Sequence, residues 1–516
     1  MPVIAALLRR LRRDQRGFTT VTVMMVVLVG GLLVTGAFAA ANPDIFSART
    51  DQDRKAAYSA AEAGLNVYAY HLNQDNGYWA RCTDVPPPNA TESSAVNQPW
   101  NGVGTDPRSW RTVPGTTTAY TIELLPTNGF TQCSETQPDA SMLDTTTGTF
   151  KIRVTGRSNG AKRSIIATFK RRSFLDYIYF TNFETADPVT YGTSSSITWA
   201  SQNCQLWYRQ GRNSACTAIQ FANNDVVAGP FHTNDDILTC GSPTFGRSTA
   251  DSIEVSAPAP GYRPNCGTAT PNFVGTWMTS APVLTMPPSN TSLASLAGVK
   301  YTGTTHIVLN GSSMTVTPAG GAATTVAIPS NGVVYVQSGT CGSTGYSINQ
   351  TYTTPTGCGD VWVHGSTSQN VTIAADNDVI VDGSLTKTAD NLVGLIANNF
   401  VRIYHPVSRD SDGNCLGNAT GSLSSPTVQA AILAVQHSFI VDNYFCGAAL
   451  GNLTITGAIA QRFRGPVGTL GSSGTTGYIK SYTYDDRLRY REPPSFLDPV
   501  QVSWRVGRQT EQVPPR

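Results

Sequence analysis

The sequence predicts a long N-terminal transmembrane or assembly α-helix carrying a small α+β domain. A mainly-β domain follows, read as a parallel β-solenoid with a β-sandwich as the alternative. Three observations predict this. An uncharged run extends from Phe18 to Ala41, helix-spaced small residues and an Asn-Gly hairpin follow before residue 172, and short apolar units split by polar corners recur after residue 230. The expected divisions are a cytoplasmic leader (1–17), a first domain (18–172, with its helix over 18–73), a linker and start of the β domain (173–230), the coil with inserted loops (231–476), and a cap and tail (477–516).

The run from Phe18 to Ala41 is long enough to cross a bilayer core as one helix. Arg9, Arg10, Arg12, Arg13 and Arg16 precede it against the single Asp14, which keeps the N-terminus cytoplasmic and sends everything beyond Ala41 outside. A cleaved secretory signal is the alternative, with small residues at Ala39–Ala41 as its cutting site. Loss of residues 1–17 takes away five arginines and one aspartate, turning the formal charge of +2 into −2. A nearly neutral chain gives no whole-chain case for nucleic-acid binding, although Lys170-Arg171-Arg172 is a local basic patch.

The 516 residues suffice for two or three domains with full cores. Charged residues make up 14%, far below the roughly 25% usual for soluble proteins, and the weakly charged Thr/Ser/Asn/Gly surface suits short strands and many turns. The ten cysteines (Cys82, Cys133, Cys204, Cys216, Cys240, Cys266, Cys341, Cys358, Cys415 and Cys446) form no CxxC and no zinc-type spacing with histidine. An even number in an exported chain argues for disulfides. Pairing of sequence neighbours is one connectivity among many that the sequence allows.

Past Pro43, the residues Ala57, Ala60, Ala61, Gly64, Leu65, Tyr68 and Leu72 fall three and four apart, giving a helix with a small-residue face suited to close lateral packing against sister helices. Pro43 is expected to kink or briefly melt that rod. Strands are expected at 119–125, 149–156 and 164–172, the last two joined through Asn159-Gly160.

The Arg16-Gly17 step before Phe18, the apolar helix, "RKAAYSAAEAGL" and "TGRSNGAKRSI" together resemble type IV pilins, and in particular the PilX-like minor pilins. The resemblance implies cleavage by a prepilin peptidase between Gly17 and Phe18, a stay in the membrane before assembly, and packing of the freed helix among other pilin subunits. It places Glu62, between Ala61 and Ala63, in the motif those proteins carry at the end of the helix. Where major pilins have a glutamate five residues into the mature chain, this chain has Thr22. A carboxylate in lipid is costly unless paired, and its loss, associated in pilin-like proteins with subunits proposed to cap a filament tip, changes which neighbour the helix accepts.

In the second half, "FHTNDDILT", "IAADNDVIV", "LIANNFVRI" and "LAVQHSFIV" place apolar residues first, seventh and usually ninth. The inward set is Phe231 and Ile237; Ile373, Val379 and Val381; Leu395, Val401 and Ile403; Leu433, Phe439 and Val441. "LTITGAIAQ", with Leu453 and Ile459, fits more loosely. A period near twenty with Asn-rich corners is the mark of stacked coils. The stretch 267–360 is expected to decorate or interrupt the coil, and Tyr478, Tyr482, Tyr484, Tyr490, Phe496 and Pro493-Pro494 to cover an open sheet edge.

Catalysis on glycans would need paired carboxylates. Asp235-Asp236, Asp376 with Asp378, and Asp410 with Asp412 all sit in turns, where aspartate serves the backbone. "DSDGN" lacks the downstream glutamate of a calcium loop, the six histidines form no HxxxH, and no GxSxG elbow or phosphate loop is present. The sequence therefore offers no catalytic, cofactor or metal residues. The resemblance implies a minor pilin-like subunit that initiates or caps a type IV pilus or related filament, held in the cytoplasmic membrane and then at the cell surface or in the pilus. Its exported β domain would serve adhesion to a glycan or other surface ligand. A membrane-anchored β-helix enzyme acting on glycans and a stand-alone adhesin are the alternatives.

Overall fold

The computed structural model describes residues 18–74, 78–82, 110–144, 149–223, 225–342, 356–471, 474–489, 491–500 and 504–516. Some side chains within these ranges, those of 18–19 and 37–46 among them, are excluded. The leader 1–17, Gly17 and Tyr490 lie outside the described residues. The chain is mostly β with a few helices and divides into two compact units, one made of 1–144, 149–170 and 506–516, the other of 145–148 and 171–505.

In the first unit one helix runs from Phe18 to Gln74 without a break. Pro43 does not melt it: proline removes a single donor, and intact turns on both sides hold the helix together. The lower part of the helix lies on a sheet whose order is Arg111–Thr112, Ala119–Leu125, Thr149–Ser158, Ala161–Arg171 and Trp504–Gln512, antiparallel through its first four strands. The hairpin between the third and fourth strands turns at Asn159 (φ 43°) and Gly160 (φ 88°), the left-handed pair that an Asn-Gly loop supplies. Asp53 accepts from Asn159 Nδ2 at 2.9 Å and ties that turn to the helix.

Ala57, Ala60, Ala61, Leu65, Tyr68 and Leu72 are buried. The small-residue face expected to meet sister helices is thus taken by the chain's own sheet. The approach is closest at Gly156, where an added Cβ would stand 1.9 Å from the Ala57 carbonyl oxygen. The C-terminal strand, expected to belong to a cap and tail, instead borders this sheet. Arg163 pairs with Glu511 at 3.0 Å, and Arg516 with Glu123 at 2.9 Å.

The second unit is built on parallel ladders. One runs through Val333–Gln337, Val371–Ala375, Val393–Ala397, Ala431–Ala434, Ala449–Phe463, Tyr179–Phe183, Phe231–Thr233, Ser252–Val255 and Thr276–Met278. A second joins Thr305–Gly311, Val361–Thr367, Val379–Lys387, Val401–Ile403 and Phe439–Val441. A third joins Thr427–Val428, Ala449–Phe463, Gly474–Tyr484, Val226–Ala228, Thr244–Phe245 and Asn272–Phe273. Each parallel step sets like side chains in line, so Ile373, Leu395, Ile432, Ile459, Tyr179 and Phe231 form one buried row. Between strands the corners are held by side-chain amides: Asn399 Nδ2 donates to Asn377 Oδ1 at 2.6 Å, and Asn377 Nδ2 to Asp360 Oδ1 at 2.5 Å.

Several expectations are corrected here. Segment 173–230 is no linker, because Tyr179–Phe183 lies in the middle of the first ladder between Ala449–Phe463 and Phe231–Thr233, with Phe174, Leu175 and Phe180 fully buried. Leu433 does not share a row with Leu395. Ile432 does, and Leu433 faces the other way with Ile396. Leu453 and Ile459 stand on one continuous strand and not across a corner. Tyr478, Tyr482 and Tyr484 cover no open edge: their strand runs between Ala449–Phe463 and Val226–Ala228 and all three are buried. Stretch 267–360 contributes ladder strands as well as an antiparallel meander through Thr305–Gly311, Ser313–Thr317 and Thr324–Ala327. Five disulfides join the sequence neighbours: Cys82–Cys133, Cys204–Cys216, Cys240–Cys266, Cys341–Cys358 and Cys415–Cys446.

The other face of the first ladder is also covered. There Glu254 accepts from Tyr177 at 2.9 Å, faces His232 at 3.1 Å and pairs with Arg172 at 3.4 Å. Burial alone would raise its pKa. The His232 hydrogen bond and charge, with Arg172 and Tyr177, outweigh that and bring it down to about 2. A carboxylate whose folded pKa is depressed stabilises above its ordinary pKa, and that contribution is lost as pH falls through the folded value. The urea midpoint of the wild-type chain is therefore expected to fall between about pH 4.5 and about pH 2 more steeply than that of Glu254→Gln. Parallel pH profiles for the two proteins would count against this.

Candidate functional site

The first site is the upper half of the long helix. Its described side chains, residues 20–36, are exposed almost throughout, with Met24 at 70%, Leu33 at 69% and Val27 at 68%. A continuous apolar surface of this kind is unusual on a soluble monomer. Gly30, Gly31 and Gly36 have nothing within 4 Å of a built Cβ, so they are open to close approach by another helix. Thr22 is exposed at the position where the resemblance would set a glutamate, and Glu62 is exposed on the lower half, facing away from the buried Ala61. Among the described residues no helix is long and apolar enough to cross a membrane. The uncharged run of 18–41 extends past residue 36 into side chains outside that set, and the Gly17–Phe18 bond lies outside it too.

In the second unit the sequence-singled carboxylates other than the exposed Asp412 are engaged. Asp235 pairs with Arg212 and accepts from the backbone of Glu184 at 3.0 Å and of Tyr208 at 2.8 Å. Asp236 binds Arg263 at 2.8 Å. Asp376 accepts from the Tyr335 hydroxyl and from Ser338 N at 2.7 Å. Asp378 accepts from Phe400 N and from Arg402, both at 3.0 Å. Asp410 closes its own turn through Asp412 N at 3.0 Å and Asn414 N at 2.8 Å. No two carboxylates are left facing an open groove as an acid/base pair among these. Among the described residues no cluster of three or more His, Cys, Asp or Glu could hold a metal ion.

Sequence reading found these aspartates and missed their cations, because each cation comes from another strand or loop. Arg402 is 1% exposed and donates from Nε to Asp442 at 2.9 Å and from Nη1 to Asp378. Arg464 reaches Glu184 at 3.2 Å across 280 residues of sequence. The same holds for His437, whose Nδ1 stands 3.0 Å from Asp187 Oδ2. No local pattern announces pairs of this separation.

No family model and no curated protein sequence matches the chain. Among solved structures it is similar to the competence-associated pilin ComZ from Thermus thermophilus, with 12% identity over 89% of this chain and 97% of that chain and a TM-score of 0.27. A TM-score this low does not establish a shared fold.

Proposed function

We propose that this chain is a pilin-like structural subunit, held in the cytoplasmic membrane before assembly and built through its N-terminal helix into a filament that carries the second unit outside the cell. The observation that carries the reading is the division of one unbroken helix into two halves. The lower half is buried on its own sheet, and the upper half is apolar and bare, ready for lipid first and for neighbouring helices afterwards. The second unit is read as a parallel β-solenoid, supported by in-register parallel ladders and amide-linked corners, and its role as adhesion to a surface ligand. Thr22, in place of an acid, favours a place at the filament tip, and "RKAAYSAAEAGL" favours the PilX-like minor pilins within the class. We read the chain as non-enzymatic, a reading supported by the structural bonds that hold Asp235, Asp236, Asp376, Asp378 and Asp410.

Purified native protein is expected to begin at Phe18 and to be recovered with sheared filaments, by intact-mass and N-terminal analysis. A chain beginning near Asn42, or one that keeps its arginine-rich leader in the filament fraction, overturns the assignment.

A further inference from the structure

The ladders place one corner out of step with the others. Ala397 pairs with Ala434 and Val401 with Phe439, so the corner before Phe439 holds one residue more than the corner before Val401. The extra residue is accommodated around His437, where Val401 N reaches Ser438 O at 3.2 Å and Arg462 N reaches His437 O at 3.0 Å. The ring of His437 lies flat on Phe400, centroids 4.5 Å apart, and turns Nδ1 to both oxygens of Asp187 at 3.1 and 3.0 Å. Asp187 is fully buried, caps the short helix Pro188–Thr190 and also accepts from Ser438 Oγ at 3.2 Å.

Asp187 and His437 line a cleft of about 130 Å³, with Val189, Gln205, Gln436 and Arg462 among its walls. His437 Nε2 has no hydrogen-bond partner among the described residues. Arg462 gives one nitrogen to Gln436 Oε1 at 3.3 Å, and among the described residues the rest of its fork is uncommitted. Burial would push the His437 pKa down, but the Asp187 charge and hydrogen bond more than reverse it. Asp378 acts in the same sense and Arg462 against, so the imidazole titrates above its ordinary value of 6.5. Asp187 pairs with His437 and its charge also reaches Arg462, whose pKa burial lowers; with His437 protonated, Asp187, His437 and Arg462 together leave one net positive charge in the cleft.

We propose that this cleft binds one carboxylate-bearing sugar unit, a uronic acid residue of an acidic glycan, with the carboxylate between His437 Nε2 and the Arg462 guanidinium. The space admits a ring-sized group, Val189 and Phe463 offer it an apolar wall, and the amide of the exposed Gln205 suits a sugar hydroxyl. The assignment deepens the adhesion reading and rests on it for its biological meaning.

The test is calorimetric titration of the full-length protein with a trigalacturonate, its neutral trigalactose counterpart, acetate and inorganic phosphate. The acidic trisaccharide is expected to bind, the neutral one not to, and acetate and phosphate at least about tenfold more weakly than the trisaccharide. Because His437 is positive below its raised pKa and loses that charge as pH rises through it, affinity should hold at the ordinary imidazole value of 6.5 and drop by about tenfold at higher pH, once the ring is neutral. Arg462→Gln, at a partly exposed position, should weaken binding by about tenfold or more with an unchanged melting temperature, and His437→Gln should abolish the pH dependence. Equal binding of the neutral sugar, equal binding of acetate or phosphate alone, or wild-type affinity in Arg462→Gln overturns the proposal. Attachment of the protein to glycan-coated surfaces separates the two readings: if wild type and Arg462→Gln attach equally, the cleft assignment falls and adhesion stands, whereas no attachment by wild type removes adhesion itself.

Discussion

Arg402→Met is expected to lower the unfolding free energy of the chain by about 3–5 kcal/mol, measured as a shift of the urea midpoint with unchanged slope. The guanidinium lies between Asp378 and Asp442, and all three groups are removed from water. Methionine fills much of the same volume, so the loss reports the charge and not a cavity. Without Arg402, two carboxylates stay buried beside Asp360, whose own pKa burial and the neighbouring Asp378 already push up to about 6. Burial likewise holds Asp442 well above the ordinary carboxylate range. Adding Asp442→Asn to Arg402→Met should therefore restore part of the stability, because one of the stranded charges is gone. A loss below about 1 kcal/mol in the single variant would falsify the view that this ion triad is a stability element.

Gly156→Val should be the most damaging change in the first unit, costing about 3 kcal/mol, with Gly156→Ala milder. The added carbon meets the carbonyl oxygen of Ala57 at 1.9 Å and the nitrogen of Ala61 at 2.5 Å, which are helix backbone and cannot swing aside as a side-chain tip would. Relief requires the whole lower helix to lift from Thr149–Ser158, opening the contacts of Ala60, Leu65 and Tyr68. Thermal unfolding followed by tyrosine fluorescence is the check, and a variant melting within about a degree of wild type would show that helix and sheet are less tightly seated than described.

The sequence disclosed those parts of the fold that are local. A helix with a small-residue face, an Asn-Gly hairpin and strand–corner–strand units all depend on residues within ten positions of one another, and they occur where the periodicity sets them. It misled where one residue was hidden. "LIANNFVRI" and "LAVQHSFIV" match by eye because starting the second at Leu433 silently absorbs the extra corner residue, and only pairing with the strand beneath shows that Ile432 is the true counterpart of Leu395. The His437–Asp187 cleft was illegible for the same reason: the insertion that makes room for it has no signature in composition, and its two ends are 250 residues apart. Strand Trp504–Gln512 was missed because it joins a sheet whose other members end at Arg171.

The order of rungs in the β unit also governs how the chain must be made. Tyr179–Phe183 leaves the ribosome long before Ala449–Phe463, yet the two are direct neighbours. Co-translational zipping from the early end is therefore blocked on one side, and the early rungs wait with a raw edge until the late strand arrives to close it. A truncated polypeptide lacking that late strand is expected to be aggregation-prone, because the edge of Tyr179–Phe183 stays unpaired.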